Sequence, residues 1–389
     1  MARKGIRHTL TTGATLALLG LGSIGSLGCQ TTNQGATAPG GAATSSPSQG
    51  SGSEDGSGNG SGRGAGSIVP AAGSKTALGF TAMVRHETGP EDGKGTLVLR
   101  APDGRHAIVG EVSDGAEVAD ISSNARTVVT AIRAKGGGES RYTIWDTATG
   151  KPTYVRVKDG GDAVLVQDGL LVARPKQSPQ LFDRSGKPVR TYEGSFSPSA
   201  EVVASADGKR FWIADDGGRI RLFDLRSGTE LRQIEVPSGR ASCSPGPQLS
   251  YEDFTMDCSA PGDADPSGST AYMAQFYGTA APQRLVDHGD QASQARRVNP
   301  GLVYEVPGVC GSAWISRGAS YEPLKVDDSD TRQVAGAYGD TAYLTSWGGQ
   351  CGDGDLVRFD LANLKSTKVA GKGTPIGGFV TSAKTVDGT

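Results

Sequence analysis

From residue 75 onward the chain alternates short apolar runs with turns rich in Gly, Asp and Ser. Representative runs are Lys209-Arg210-Phe211-Trp212-Ile213-Ala214, Ile220-Arg221-Leu222-Phe223-Asp224 and Ala271-Tyr272-Met273-Ala274. Runs this short, carrying aromatic and β-branched residues and bounded by turn formers, predict strands. No apolar period of 3.6 residues is sustained over a helix length. The signals recur in a fixed order. A turn ("SADG", 205–208) precedes a strand, a Gly-rich reversal ("DDGG", 215–218), a strand ending in an acid, and a tight turn into a further strand ("TELRQIEV", 229–236).

The acid-ending strand is the most regular element. "YTIWDTATG", "QLFDRSG", "IRLFDLRSG" and "LVRFDLANL" align on Trp145-Asp146, Phe182-Asp183, Phe223-Asp224 and Phe359-Asp360. Weaker copies place Arg100, Asp287 and Asp327 at the same position. The usual step is about 40 residues, a period that marks repeats of four-stranded units. A lone four-stranded unit cannot cover both of its faces, and blades packed around an axis can. The expected fold is therefore all-β: a β-propeller of seven four-stranded blades over residues 75–389. In it the aromatic packs between blades and the Asp caps the next turn through backbone N–H groups. These acids are expected to be structural, not catalytic. The strand around Phe80-Thr81-Ala82-Met83-Val84 has no preceding partner, and Ile376–Thr381 follows the last full unit as an orphan. Pairing them would close the ring and remove two exposed edges.

The stretch "SFSPSAEVVASADGKRFWIADDGGRIRLFDLRSGTEL" (195–231) resembles a blade of a WD40-type or quinoprotein-like propeller, with Phe223-Asp224 where Trp-Asp is usual. The resemblance implies a disc that serves as a binding platform. It also covers dehydrogenases that bind pyrroloquinoline quinone and calcium. This chain has neither an adjacent cysteine pair nor a recurring Trp docking motif, and no cofactor is expected.

Composition divides the remainder of the chain. It holds 59 Gly and 36% hydrophobic residues, and its net charge is −2. A balance so close to zero produces no field that would gather nucleic acid. Arg3, Lys4 and Arg7 precede a diluted apolar stretch that ends at Ser26-Leu27-Gly28-Cys29. This resembles the lipobox of bacterial lipoproteins, with Ser26 where Leu is usual. Residues 1–28 are expected to be a signal peptide and Cys29 the lipidated residue. Residues 29–74 are expected to form a Gly/Ser-rich disordered tether, with too little apolar area to fold. Its 30–67 portion would span roughly 30–37 Å as a random coil.

Cys243, Cys258, Cys310 and Cys351 suit an oxidising compartment. The expected bridges are Cys243–Cys258 and Cys310–Cys351, with three pairings open in principle. The step from Asp224 to Asp287 is much longer than the others. The excess is assigned to an inserted loop within 237–265, pinned by Cys243 and Cys258 and presenting Tyr251, Phe254 and Met256 to a partner.

Other chemistry is sparse. "DADPSG" (263–268) opens like a calcium loop, with Asp263, Asp265, Ser267 and Gly268, but position twelve is Ala274 in place of the required Glu. No metal is expected. "GQCGDGD" (349–355) follows no strand–helix pattern and reads as a loop. His86, His106 and His288 read as surface or turn residues, and there is no GxSxG. The expected function is that of a lipid-anchored, extracytoplasmic, monomeric propeller that binds or scaffolds an envelope protein or glycan without chemistry. The alternative is a propeller enzyme: quinoprotein dehydrogenase-like, lyase or lactonase-like hydrolase.

Overall fold

The structure, a computed structural model, describes residues 68–71, 79–86, 94–134, 138–199, 201–262, 268–286, 291–307, 311–326, 329–347, 353–370 and 376–381. They belong to one unit, Asn59–Thr389. The described residues form seven antiparallel sheets and no α-helix.

Blade 2 shows the plan, running from the axis outward through Glu117–Ile121, Thr127–Ile132, Glu139–Asp146 and Lys151–Lys158. Blade 3 follows with Ala163–Val166, Gly169–Arg174, Gln177–Asp183 and Pro188–Thr191. Blade 4 is Val202–Ala204, Arg210–Ala214, Ile220–Asp224 and Glu230–Ile234. Blade 5 is Ser242–Gln248, Asp253–Ser259, Thr270–Gln275 and Gln283–Arg284. Blade 6 is Ser293–Val298, Gly301–Val306, Ser312–Arg317 and Ser320–Pro323. Blade 7 contains Ser329–Tyr338, Thr341–Trp347, Asp353–Asp360 and Lys365–Ala370, and the two-residue strand Lys325–Val326 extends its sheet to five. Blade 1 takes its three outer strands, Thr81–His86, Lys94–Arg100 and His106–Ser113, from the start of the domain and its innermost strand, Ile376–Thr381, from the end. The register is Thr81↔Thr381, Ala82↔Val380 and Met83↔Phe379. The ring is closed by the pairing read from the sequence.

Burial follows distance from the axis. The second strands are packed between blades on both faces; every residue of Arg210–Ala214 is buried. Such strands read as continuous apolar runs and not as alternation. The outermost strands are wet, and Pro188–Thr191 is exposed throughout.

The anchor aromatics fill the seams between blades. Trp145 lies in a cluster with Val109, Val112 and Leu97 of blade 1, and its Nε1 donates to Thr130 Oγ1 at 3.0 Å. Phe223 stacks on Phe211 at 5.0 Å and packs with Leu171 and Leu181 of blade 3. Phe182 packs with Val129 and Ile144 of blade 2, and Phe359 with Val303 and Ile315 of blade 6. The acids cap the turns. Asp224 Oδ1 accepts from Ser227 N and Oγ at 2.7 Å, Asp183 Oδ1 from Ser185 N at 2.8 Å, Asp146 Oδ1 from Thr149 N at 2.9 Å, and Asp360 Oδ1 from Ala362 N at 3.0 Å. The hydrogen bonds from Ser227 hold the Asp224 carboxyl below the usual carboxylate range. Three of the phrases end in Gly because the turn closes in the left-handed region, at φ +77 in Gly228, which Gly adopts without strain; Leu364 takes the same place at φ +56.

Three sequence expectations are corrected. The anchors of blades 5 and 6 are the ends of their third strands, Gln275 and Arg317, because Asp253 pairs with Gln275 as Arg210 pairs with Asp224. Asp287 and Asp327 lie outside the described residues. The long step therefore came from slipped alignment. Secondly, 237–265 is not an insertion, since it supplies the first two strands of blade 5. Pro245 and Pro247 disguised the first of these, and an innermost strand tolerates them because one of its edges has no ladder partner. Thirdly, four residues given to the tether belong to the domain. Ile68 is buried beside Phe80 and Trp145, and Pro70 O accepts from Arg126 Nη1 at 2.8 Å. Ile68 and Val69 are the first residues after the Gly/Ser run with enough apolar area to repay ordering.

Candidate functional site

At one end of the disc, each blade's third strand turns into its fourth and, in blades 2 to 7, the first into the second. Three of the first turns converge there. Ser122, Ser123 and Asn124 of blade 2, Gln167 and Arg184 of blade 3, and Ser205, Asp207 and Gly208 of blade 4 line a cleft of about 190 Å³. Its walls are held by the backbone. Gln167 N donates to Gly208 O at 3.0 Å, and a Cβ on Gly208 would lie 2.4 Å from Gln167 N. Asn124 Oδ1 accepts from Ser122 Oγ and Arg126 N, which leaves its amide N–H₂ directed to no partner among the described residues. Asp207 Oδ1 accepts from Ser205 Oγ and Lys209 N, leaving Oδ2 with only a 4.0 Å approach from Lys209 Nζ. Arg184 Nη2 donates to Gln167 O at 3.3 Å. The cleft thus offers hydrogen-bond donors and acceptors together, with one positive and one negative side chain.

Blade 5 adds aromatic rings at the same end. Tyr251 and Tyr277 are 64% and 62% exposed. Phe276 N donates to Glu252 O at 2.8 Å, which sets the two tyrosines at neighbouring places. Tyr251 rides on a turn fixed by Ser250 Oγ, which accepts from Glu252 N and Asp253 N. Tyr277 is braced by Arg210, whose guanidinium sits 4.2 Å above the Phe276 ring and donates to Tyr277 Oη at 3.4 Å. A single side chain links rings to cleft: Gln248 Oε1 accepts from Ala206 N, and its Nε2 donates to Ser250 O, both at 2.7 Å.

The partner residues read from the sequence are separated by this geometry. Tyr251 is exposed, but Phe254 and Met256 are fully buried in the seam of blades 4 and 5, with Phe254 4.9 Å from Trp212. Their assignment as partner contacts is corrected, because they alternate inward on a strand. Tyr277, Arg210 and the cleft residues escaped the sequence reading. The available signal was "QFYG" at the end of the third strand of blade 5, hidden once the anchor had slipped to Asp287.

Cys243 and Cys258 form a disulfide between directly paired residues of adjacent strands. Cys310, Cys351 and Cys29 lie outside the described residues, as do Asp263, Asp265, Ser267 and His288. Ala274 is buried in blade 5, His106 is exposed, and no cluster of metal-ligating side chains occurs among the described residues.

Carboxylates also bridge successive blades. Asp120 Oδ2 accepts from Leu165 N at 2.6 Å, Asp162 Oδ2 from Val202 N at 3.5 Å, Asp257 Oδ2 from Gln294 N at 2.9 Å and Glu305 Oε1 from Val334 N at 2.8 Å. Innermost strands of neighbouring blades form no ladder, so these acids satisfy N–H groups that would otherwise be unpaired. Burial pushes Asp162 up to about 6, against the pull of Arg133 at 3.2 Å. Burial pushes Asp257 up to about 7, with Glu305 and Glu201 adding to the rise and the Gln294 N–H opposing it.

These features define a seven-bladed β-propeller with a WD40-like fold. No protein-family model matches the chain. It is similar to guanine nucleotide-binding protein β subunits. The Solanum tuberosum protein is 29% identical over 115 residues, 26% of this chain and 30% of that protein. The Arabidopsis thaliana protein is 26% identical over 127 residues, 29% of this chain and 33% of that one. The chain thus spans about a third of the length of these relatives. Among solved structures, the β-propeller domain of the Trilobed protease from Pyrococcus furiosus, which has an open velcro topology, superposes with a TM-score of 0.53 at 11% identity, covering 78% of this chain and 97% of that domain. A putative 6-phosphogluconolactonase from Bacteroides fragilis superposes with a TM-score of 0.52 at 11% identity, covering 80% and 99%. Likeness at this identity shows the fold alone.

Proposed function

We propose that this protein is a lipid-anchored, extracytoplasmic propeller that binds an envelope protein or glycan without chemistry of its own. The observation that carries this reading is the end of the disc where turns of three blades, two of them joined by the hydrogen bond from Gln167 N to Gly208 O, form a polar cleft beside two exposed tyrosines. Groups held in place before a ligand arrives lose little freedom on binding, which favours recognition. The N-terminal sequence supplies the address: basic residues, an apolar stretch and Gly28-Cys29, followed by a tether that would hold the disc clear of a bilayer.

Two measurements test the reading. Cys29→Ala should move the protein from the membrane fraction to a soluble or uncleaved form; unchanged fractionation and processing would remove the anchor from the proposal. Cross-linking in intact envelopes should capture a partner with the native chain and lose it in the Gln167→Ala/Arg184→Ala variant. Capture that survives in that variant places recognition elsewhere on the disc.

A further inference from the structure

We infer that the ligand at this end of the disc is a neutral linear oligosaccharide, stacked on Tyr251 and Tyr277 and hydrogen-bonded in the cleft of blades 2–4. The inference rests on the binding reading above and names its ligand class. A pyranose presents apolar C–H faces and a rim of hydroxyls, each able to donate and to accept. The site matches both aspects. Tyrosine rings offer amphipathic area with little side-chain freedom to lose; here Tyr251 stands on a backbone turn fixed by Ser250, and the Tyr277 hydroxyl accepts from Arg210. The cleft supplies side-chain donors on Asn124, Gln167 and Arg184 and acceptors on Asp207 Oδ2 and Gln167 Oε1. The cleft lining carries one charge of each sign, Arg184 and Asp207, with Lys209 Nζ 4.0 Å from Asp207 Oδ2, so no cluster of like charges is directed at a ligand. The Gln248 bridge from Ala206 to Ser250 makes cleft and rings one surface, longer than a single sugar ring needs.

A peptide is the competing ligand, and the geometry serves it less well. Three backbone donors of these turns are already taken, Gln167 N by Gly208 O, Gly208 N by Ser205 O of its own turn and Ala206 N by Gln248 Oε1, so none of the three is offered to an extending peptide. The cleft is lined mainly by polar side chains and lacks the apolar pockets that would take peptide anchors.

The test is calorimetric titration of the purified chain with cellohexaose and hexa-N-acetylchitohexaose, and with decaproline as the peptide arm. The expected result is saturable binding of at least one hexasaccharide. Tyr251→Ala and Tyr277→Ala should each weaken it at least tenfold with an unchanged melting temperature. Tyr277→Phe, which keeps the ring, should stay within threefold, and Asp207→Asn, which keeps an Oδ1 acceptor for Ser205 and Lys209 N and alters only the Oδ2 side, should weaken binding at constant stability. Absence of binding to both sugars, binding indifferent to the two Ala variants, or binding of decaproline alone overturns the inference. Failure of the broader reading looks different. If the sugars do not bind but envelope capture is lost in the Tyr251→Ala/Tyr277→Ala chain, the oligosaccharide is wrong and the binding end is right. Capture indifferent to both tyrosine and cleft variants removes both.

Discussion

The Asp257 carboxylate reaches from the second strand of blade 5 to the first strand of blade 6, where Oδ2 accepts both the backbone N–H of Gln294 at 2.9 Å and its side-chain amide at 3.1 Å. Oδ1 is buried without a hydrogen-bond partner. A proton on Oδ1 neutralises the group and leaves both Gln294 bonds in place. Glu305, Glu201 and Arg296 are the charged groups around it.

This geometry predicts a pH dependence. Asp257 titrates near 3.8 when unfolded and about 7 when folded, so the folded state retains a proton that the unfolded state has released. Its contribution is complete below about pH 4 and is lost as pH rises through about 7. Asp162, raised to about 6, acts in the same direction. Wild-type melting temperature should fall between about pH 4 and 7, and the fall should be smaller in Asp257→Asn. Parallel curves for the two proteins would show that Asp257 is ionised throughout this range.

The seam between blades 1 and 2 makes a steric prediction. A Cβ on Gly110 would lie 2.5 Å from Trp145 Cζ3. Gly110→Ala should therefore destabilise by about 1–3 kcal/mol, the usual cost of overpacking. Combining it with Trp145→Phe should recover part of that loss, because the smaller ring vacates the site. Chemical denaturation of the four proteins in a double-mutant cycle gives the coupling.

Ring closure predicts a large effect from a small deletion. Removing residues 374–389 takes away the innermost strand of blade 1 and leaves Thr81–His86 with an unpaired edge. The truncated chain should melt at a distinctly lower temperature and aggregate sooner on heating. An unchanged melting curve would mean that blade 1 stands on its other three strands.

The bridge in blade 5 gives a fourth test. Cys243 and Cys258 are 15 residues apart in sequence, and a loop of about that length contributes ~3 kcal/mol by the chain-entropy account. Cys243→Ala/Cys258→Ala should lower stability by about this much. With Cys310 and Cys351 replaced by Ala in both proteins, adding reductant should lower the chain that keeps Cys243 and Cys258 toward the one that lacks them and leave the latter unmoved.

Much of the fold was legible because one local device repeats. Phe223-Asp224 and its counterparts join an inward aromatic to a turn-capping acid, so position in the blade is written in adjacent residues. Blades 5 and 6 were misread where that device is missing, at Gln275 and Arg317. Prolines 245 and 247 then made a strand look like a loop. The site was less legible for a different reason. Asn124, Gln167 and Asp207 stand at steps of 43 and 40 residues, the period of the repeat, so they read as blade turns, and only ring geometry gathers them with Arg184 into a cleft. Tyr251 and Phe254 are three residues apart and looked alike, yet one rides a turn and the other fills a seam.

The pairing of Thr81–His86 with Ile376–Thr381 also fixes an order of events during synthesis. Blades 2 to 7 are each built from contiguous sequence and can assemble as they leave the ribosome. Blade 1 cannot, since its innermost strand follows all six of them in the sequence. Until then the growing arc keeps its first seam half-built, and full cooperativity waits on a contact between distant parts of the chain, the slow kind of contact in folding. A chain stalled before residue 376 is therefore an open arc with a ready strand edge, and a finished one is a ring.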